Sequence, residues 1–194
     1  MSVKGTRERI LKASLGIFSE RGYLGTTTKE IAMEADVAEV TLFRHFLSKE
    51  RLFGEVVKTY SFLPTLKGLL PELRDMDYRE ALSEIARRFL ERLSERKALI
   101  RIMHAEAHRY PEKVKEIYHH FIDETFKTLA SYFKGMQERG AIRDFDSEIG
   151  ARAFLGMFFS YFNSREMLTN KKTKTMNGEV IEGFVDIFIK GTMQ

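Results

Sequence analysis

From residue 6 to residue 57 the apolar side chains recur every three or four positions in short blocks, and each block is cut off before a long helix can run. That spacing matches the 3.6-residue helical period, so one side of each block is apolar and the other polar. Ile10, Leu11, Ser14, Leu15 and Phe18 share a face while Arg7, Arg9, Lys12 and Arg21 lie mostly elsewhere, which predicts a helix over 6–21 ending near Gly22. Thr27 and Glu30 stand three apart as a capping box, the hydroxyl covering a free amide of the first turn and the carboxylate reaching back. A second helix over about 28–35 follows, with Ile31, Ala32 and Ala35 inward. Asp36 stops it, because Asp is one of the few residues besides Gly that tolerates a left-handed backbone. A third helix spans Glu39 to Phe46, with Leu42 and Phe46 on the face of Val37. Ser48 then caps a fourth, with Leu47 and Leu52 placed as a hydrophobic staple.

Beyond residue 60 the blocks lengthen and their apolar faces widen. Pro64 and Pro71 bracket a break, residues 75–77 read as a loop, and helices are expected near 78–95, 97–108, 111–139, 146–169 and 177–191. Arg139-Gly140 and Asn177-Gly178 are the punctuation between them. No strand-period alternation and no internal repeat interrupts this pattern. The expected fold is all-α in two parts: a three-helix helix-turn-helix domain over 1–57, then a helical bundle over 58–194.

Composition removes several classes of function. The chain has no cysteine, which excludes a disulfide framework, a thiol nucleophile and zinc sites with Cys ligands. No apolar run approaches the roughly twenty residues of a membrane span, and the start lacks a signal peptide's apolar segment. A cytoplasmic protein with no membrane partner is therefore expected. His104 and His108 stand four apart, but Ala105 occupies the place where the zinc-protease pattern needs Glu, and no Gly-rich phosphate loop is present. Neither a metal, a cofactor nor a catalytic residue is expected. Net charge is only +4, from 32 Lys plus Arg against 28 Asp plus Glu. Sorted by position it is less even, since Lys4, Arg7, Arg9 and Lys12 face only Glu8 in the first twelve residues.

Three short helices with a tight turn between the second and third suit a helix-turn-helix, whose third helix enters a major groove about 12 Å wide. Thr28 at one helix start, His45 at the end of the third helix and Lys49 at the start of the fourth suit phosphate contacts. Spacing alone leaves open a core-forming trio with a merely solvated Lys49.

Residue order adds to this reading. Thr26-Thr27-Thr28-Lys29-Glu30-Ile31-Ala32, then Ala35-Asp36-Val37, then Thr41-Leu42-Phe43-Arg44-His45-Phe46-Leu47-Ser48-Lys49-Glu50-Arg51-Leu52 resembles the DNA-binding region of the tetracycline-repressor (TetR/AcrR) family, without a gap over about residues 6–57. The resemblance implies a homodimeric transcriptional regulator, usually a repressor released from a palindromic operator by a small molecule. Carried over by position, it implies that Thr28, His45 and Lys49 contact the DNA backbone, and that Lys29, Glu39, Val40, Thr41 and Arg44 face base edges. The chain departs from the family pattern in having Asp36 where Gly is usual and Phe43 where Tyr is usual, which keeps a ring at the DNA face and loses a phosphate-bonding hydroxyl. Ala38 replaces the usual Ser cap, leaving Asp36 as the expected cap of the recognition helix. Glu39 either accepts from a cytosine amino group or only favours the helix N-terminus.

In the second part, half of the sixteen Phe fall between 121 and 162. Such density fits either an apolar ligand cavity or a filled core. The family likeness favours a cavity for an apolar small-molecule effector, with Phe89, Met103, His104, Phe121, Phe158 and Phe162 as its expected lining. Gly150, Ala153, Gly156 and Ser160 form a smooth strip where another helix can approach closely, and the last helix carries a wide apolar face. Gly156, Ser160, Ile181, Phe184, Val185 and Phe188 are the expected dimer contacts. A helical enzyme or a protein-binding adaptor with an aromatic cavity is the alternative reading.

Overall fold

A computed structural model describes residues 3–168 and 177–193, with side chains from Gly5 to Arg165 and from Gly178 to Met193. The described residues form α-helices and short helical turns, with no strand among them. They group into two compact units, residues 1–61 with 96–121 and residues 62–95 with 122–194. The stretch 96–121 thus packs with the N-terminal residues.

In the first unit α1 (Val3–Arg21), α2 (Thr28–Glu34), α3 (Glu39–Phe46) and α4 (Lys49–Tyr60) follow the expected blocks. Thr27 caps α2 in both directions of a capping box, its hydroxyl accepting from the Glu30 amide and the Glu30 carboxylate accepting from the Thr27 amide. Asp36 takes the left-handed conformation at φ 52°. The Asp36 amide donates to the Met33 carbonyl at 3.1 Å and the Val37 amide to the Ala32 carbonyl at 3.0 Å. This pair of bonds is the Schellman closure of a helix end. Two expectations about the flanks change. Asp36 does not cap α3, because it is consumed in the turn and its exposed carboxylate lies 3.8 Å from the Arg9 guanidinium; Ala38 is the cap and supplies no side-chain bond. Ser48 caps α4 by accepting from the Arg51 amide, but the staple is not made, since Leu47 has φ 64° and stays 68% exposed while Leu52 is fully buried.

Ile10, Phe18, Ile31, Leu42, Leu52, Phe53 and Val56 are fully buried in this unit. Leu99 and Met103 of α7 (Lys97–Glu106) and Val114 at the start of α8 (Glu112–Glu138) join the same core. The Phe53 ring stands edge-on to Phe18 and to Tyr23, both at 5.2 Å, and to Tyr110 at 6.1 Å. Such edge-to-face contacts add to the apolar area buried.

The second unit holds α5 (Phe62–Leu69), α6 (Tyr78–Glu95), the rest of α8, α9 (Ser147–Phe162) and α10 (Asn177–Thr192). Helix α5 replaces the break expected at Pro64. Proline sits there in the first helical turn, where the amide has no intrahelical acceptor and its loss is harmless. Asp77 starts α6 by accepting from the Arg79 amide, and Asp146 starts α9 by accepting from the Glu148 and Ile149 amides. After Phe162 the chain widens into a π-helical turn, Asn163–Leu168. The end expected at 169 and the Lys4 side chain lie outside the described residues. Phe133, Phe154 and Phe158 are fully buried, with Phe188 5.5 Å from Phe133 and 5.0 Å from Phe154. The buried Tyr78 hydroxyl shares a hydrogen bond with the Thr192 hydroxyl, and burial pushes its pKa up to about 12.

Candidate nucleic-acid interface

Helix α3 is eight residues long, or about 12 Å. Leu42 and Phe46 are buried while Val40 is 74% exposed, and Phe43 and Arg44 are exposed beside it. Inward residues at four-residue spacing anchor the helix, and the opposite face is left exposed. Lys29 on α2 is exposed; Thr28, Glu39, Thr41 and His45 are half-buried. The Thr28 hydroxyl donates to a Glu39 carboxylate oxygen at 2.6 Å, joining the start of α2 to the start of α3. Glu39 therefore stands in the first turn of α3 with one oxygen already bonded outside its own helix.

Lys49 begins α4 and is half-buried, its ammonium 4.3 Å above the centre of the Tyr23 ring. Burial lowers its pKa, and the carboxylates of Glu50, Glu106 and Glu30 counter that effect. The Tyr23 hydroxyl donates to Glu50 at 3.0 Å; burial first, then this bond and the Glu50 charge, raise the tyrosine's pKa. Glu50 is held below the usual carboxylate range by its own backbone amide and by the Ser48 and Tyr23 hydroxyls. A cation seated on a ring face at a helix start suits one phosphate. Lys49→Ala is expected to weaken binding on every DNA sequence alike and to shallow the dependence of log affinity on log salt by about one. Titrations at three salt concentrations check this.

Sequence reasoning missed what lies beneath Lys49. Gly22 has φ 73°, and a Cβ there would collide with the Glu106 carboxylate. Glu106, the last residue of α7, accepts from the Tyr23 amide at 3.1 Å although 83 residues separate them. The Tyr110 ring meets Tyr23 edge-on at 5.9 Å. Burial, then the Glu106 charge, push its pKa above the ordinary range. Only Gly22 hints at this in the sequence, as the residue ending α1.

The other expected site residues fall as follows. Met103, His104 and Phe121 belong to the first unit: Met103 is buried, His104 exposed, and Phe121 half-buried. Phe121 borders an open groove of about 530 Å³ whose lining includes Arg7, His45, Arg51, Ile117 and His120. Phe89, Phe158 and Phe162 are buried in the second unit, Phe89 against Phe62 at 4.9 Å and Phe158 between Phe154 and Phe184 at 5.2 and 5.3 Å. Of the expected dimer residues, Ile181, Val185 and Phe188 are filled into the unit's own core. Phe184 and Gly156 are half-buried and Ser160 is exposed. Gly150 leaves the strip as well, since a Cβ there would strike the Phe145 ring. No group of three or more metal-ligating side chains occurs among the described residues. None of the described helices is long and apolar enough to cross a membrane.

Comparison with known proteins covers both parts. The family model of the bacterial regulatory proteins of the tetR family matches residues 10–56, and that of the AefR-like transcriptional repressor C-terminal domain matches residues 80–191. YvkB of Bacillus subtilis, described as an uncharacterized HTH-type transcriptional regulator, is 30% identical over 97% of this chain and 98% of its own. The crystal structure of a protein described as a TetR-family regulator of Mesorhizobium loti superposes with a TM-score of 0.84 at 27% identity, covering all of both chains. AibR, solved with isovaleryl coenzyme A and operator DNA, shares the fold at a TM-score of 0.63 and 22% identity, over 94% of this chain and 97% of its own.

Proposed function

Because the chain belongs to the TetR family of bacterial transcriptional regulators, and so binds DNA and is not an enzyme, we propose that it is a homodimeric repressor released from a palindromic operator by an apolar small molecule. Residues 1–57 bind DNA and residues 58–194 bind the effector and dimerise. The observation that carries the reading is α3, with Leu42 and Phe46 buried and Val40, Phe43 and Arg44 outward above a phosphate-ready Lys49. The match of residues 80–191 to a repressor's C-terminal domain supports the sign of the response.

Dimerisation uses what α9 and α10 leave uncovered. Ile149 is 66% and Ile187 61% exposed, and Gly156 and Gly183 have open space where a Cβ would stand. Large apolar residues beside glycines give a surface that a second copy can approach closely. Two recognition helices a helical turn of DNA apart, or a multiple of it, read a palindrome. The effector is apolar or carries an apolar tail, as the isovaleryl group bound by AibR does. Release is a population shift: moving the protein from 99% operator-competent to 1% requires about 10⁴-fold tighter effector binding to the released form, or about 5.5 kcal/mol.

The test is gel retardation on DNA selected from a random pool, followed by addition of isovaleryl-CoA and a panel of longer acyl-CoA thioesters, with sedimentation of the free protein at micromolar concentration. The expected result is a two-fold symmetric selected site, a dimer mass, and loss of the retarded band with one class of thioester. A monomer, equal retention of all sequences, or retention unchanged by every thioester would count against the corresponding part.

A further inference from the structure

The family likeness gives Thr28 the role of a hydroxyl that grips phosphate, but in this chain the hydroxyl is committed elsewhere. A threonine has one O–H to donate, and here it goes to Glu39 at 2.6 Å. A phosphate oxygen only accepts, so Thr28 cannot hold one without releasing Glu39. A carboxylate bonded to that hydroxyl also repels an approaching phosphate.

We propose that Thr28 is a positioning residue: by holding one oxygen of Glu39, it fixes the other as an acceptor for an exocyclic base amino group, so that the operator carries cytosine at the position Glu39 meets. The proposal rests on the reading that α3 enters the major groove. Among the described residues the second Glu39 oxygen has no protein donor, and the neighbouring Val40 is 74% exposed and offers no competing polar group. In the major groove cytosine and adenine present amino donors, whereas guanine and thymine present carbonyl acceptors. An ionised Glu is acceptor-only, so guanine or thymine would set lone pair against lone pair. Adenine flanks its amino group with its own N7 acceptor, which repels a carboxylate, while cytosine's own major-groove edge carries no acceptor beside N4. Cytosine is therefore the base of choice. Holding the side chain before DNA arrives removes part of the ordering cost of a flexible Glu.

The test is the affinity of the full chain for its selected DNA site, with all four bases at each position, for wild type, Thr28→Val, Thr28→Ser and Glu39→Gln. Wild type is expected to prefer cytosine about tenfold or more at one position in each half-site. Thr28→Val, near-isosteric and lacking the hydroxyl, lowers that preference several-fold there alone and leaves the salt slope unchanged. Thr28→Ser restores it, and Glu39→Gln moves the preference to adenine, whose N6 and N7 match an amide. A uniform loss on all sequences with a shallower salt slope in Thr28→Val would make Thr28 a phosphate ligand and overturn the proposal. Base preferences untouched in both Thr28→Val and Glu39→Gln would also overturn it, leaving Glu39 only its favourable place at a helix N-terminus. A pool that yields no preferred site refutes the operator reading itself, a result distinct from either.

Discussion

Phe53→Ala is expected to destabilise the first unit by about 3–5 kcal/mol and to abolish operator retention under conditions where wild type binds. The ring is fully buried and meets Phe18, Tyr23 and Tyr110 edge-on, so its removal takes away apolar burial and three aromatic contacts together. The gap cannot close cheaply, because its walls belong to α1, the turn after it, and the segment following α7. Against a total of about 5–15 kcal/mol for a typical domain, such a loss is large. Chemical denaturation followed by residue-resolved hydrogen exchange checks it. Amides of α1 to α4 should lose protection while those of α9 and α10 keep theirs. Phe53→Leu, which keeps most of the volume, should cost far less. A midpoint equivalent to under about 1 kcal/mol for the alanine variant would mean that the site collapses around the missing ring.

Glu106→Ala is expected to cost about 1–3 kcal/mol, again in the first unit. The carboxylate accepts from the amide of Tyr23, a residue only 4% exposed, and it stands beside the buried Tyr110 hydroxyl. Removing the acceptor leaves a buried amide without a partner, which costs more than the bond itself contributes. Tyr23 also carries the Lys49 ammonium on its ring, so operator affinity should fall with stability. Glu106→Gln keeps an oxygen acceptor and separates the two effects. It should protect the Tyr23 amide from exchange nearly as well as wild type, with a melting midpoint much closer to wild type than that of Glu106→Ala. If alanine and glutamine behave alike, the charge and not the acceptor is what this position supplies.

Where local chemistry governs the fold, the amino-acid order is enough to read it. The capping box at Thr27 and Glu30, the cap at Ser48 and the left-handed Asp36 depend on residues within a few positions of each other, and all three form. Helix α5 is not legible in this way, because a proline in the first turn and a proline that breaks a helix look the same in sequence. The wide apolar face of α10 is ambiguous in sequence for a related reason. Ile181, Val185 and Phe188 would have the same spacing whether a partner subunit or the unit's own core, such as Phe133 and Phe154 against Phe188, covered them. At the DNA face the residues are legible but their links are not. Thr28 and Glu39 both stand out in the sequence, yet the bond between them crosses a turn, and Tyr23 meets Glu106 over 83 residues. No periodicity reports such a contact.

The turn between α2 and α3 is closed by main-chain bonds from the amides of Ala35, Asp36 and Val37, and Arg9 of α1 adds a side-chain bond to the Asp36 carbonyl. What sets the approach of α3 is thus separate from its outward residues Val40 and Arg44. On the proposed reading, exchange at positions 40 and 44 would redirect the protein to a new operator while the scaffold stays as it is. A lineage of such regulators is free to diversify its target genes one surface residue at a time.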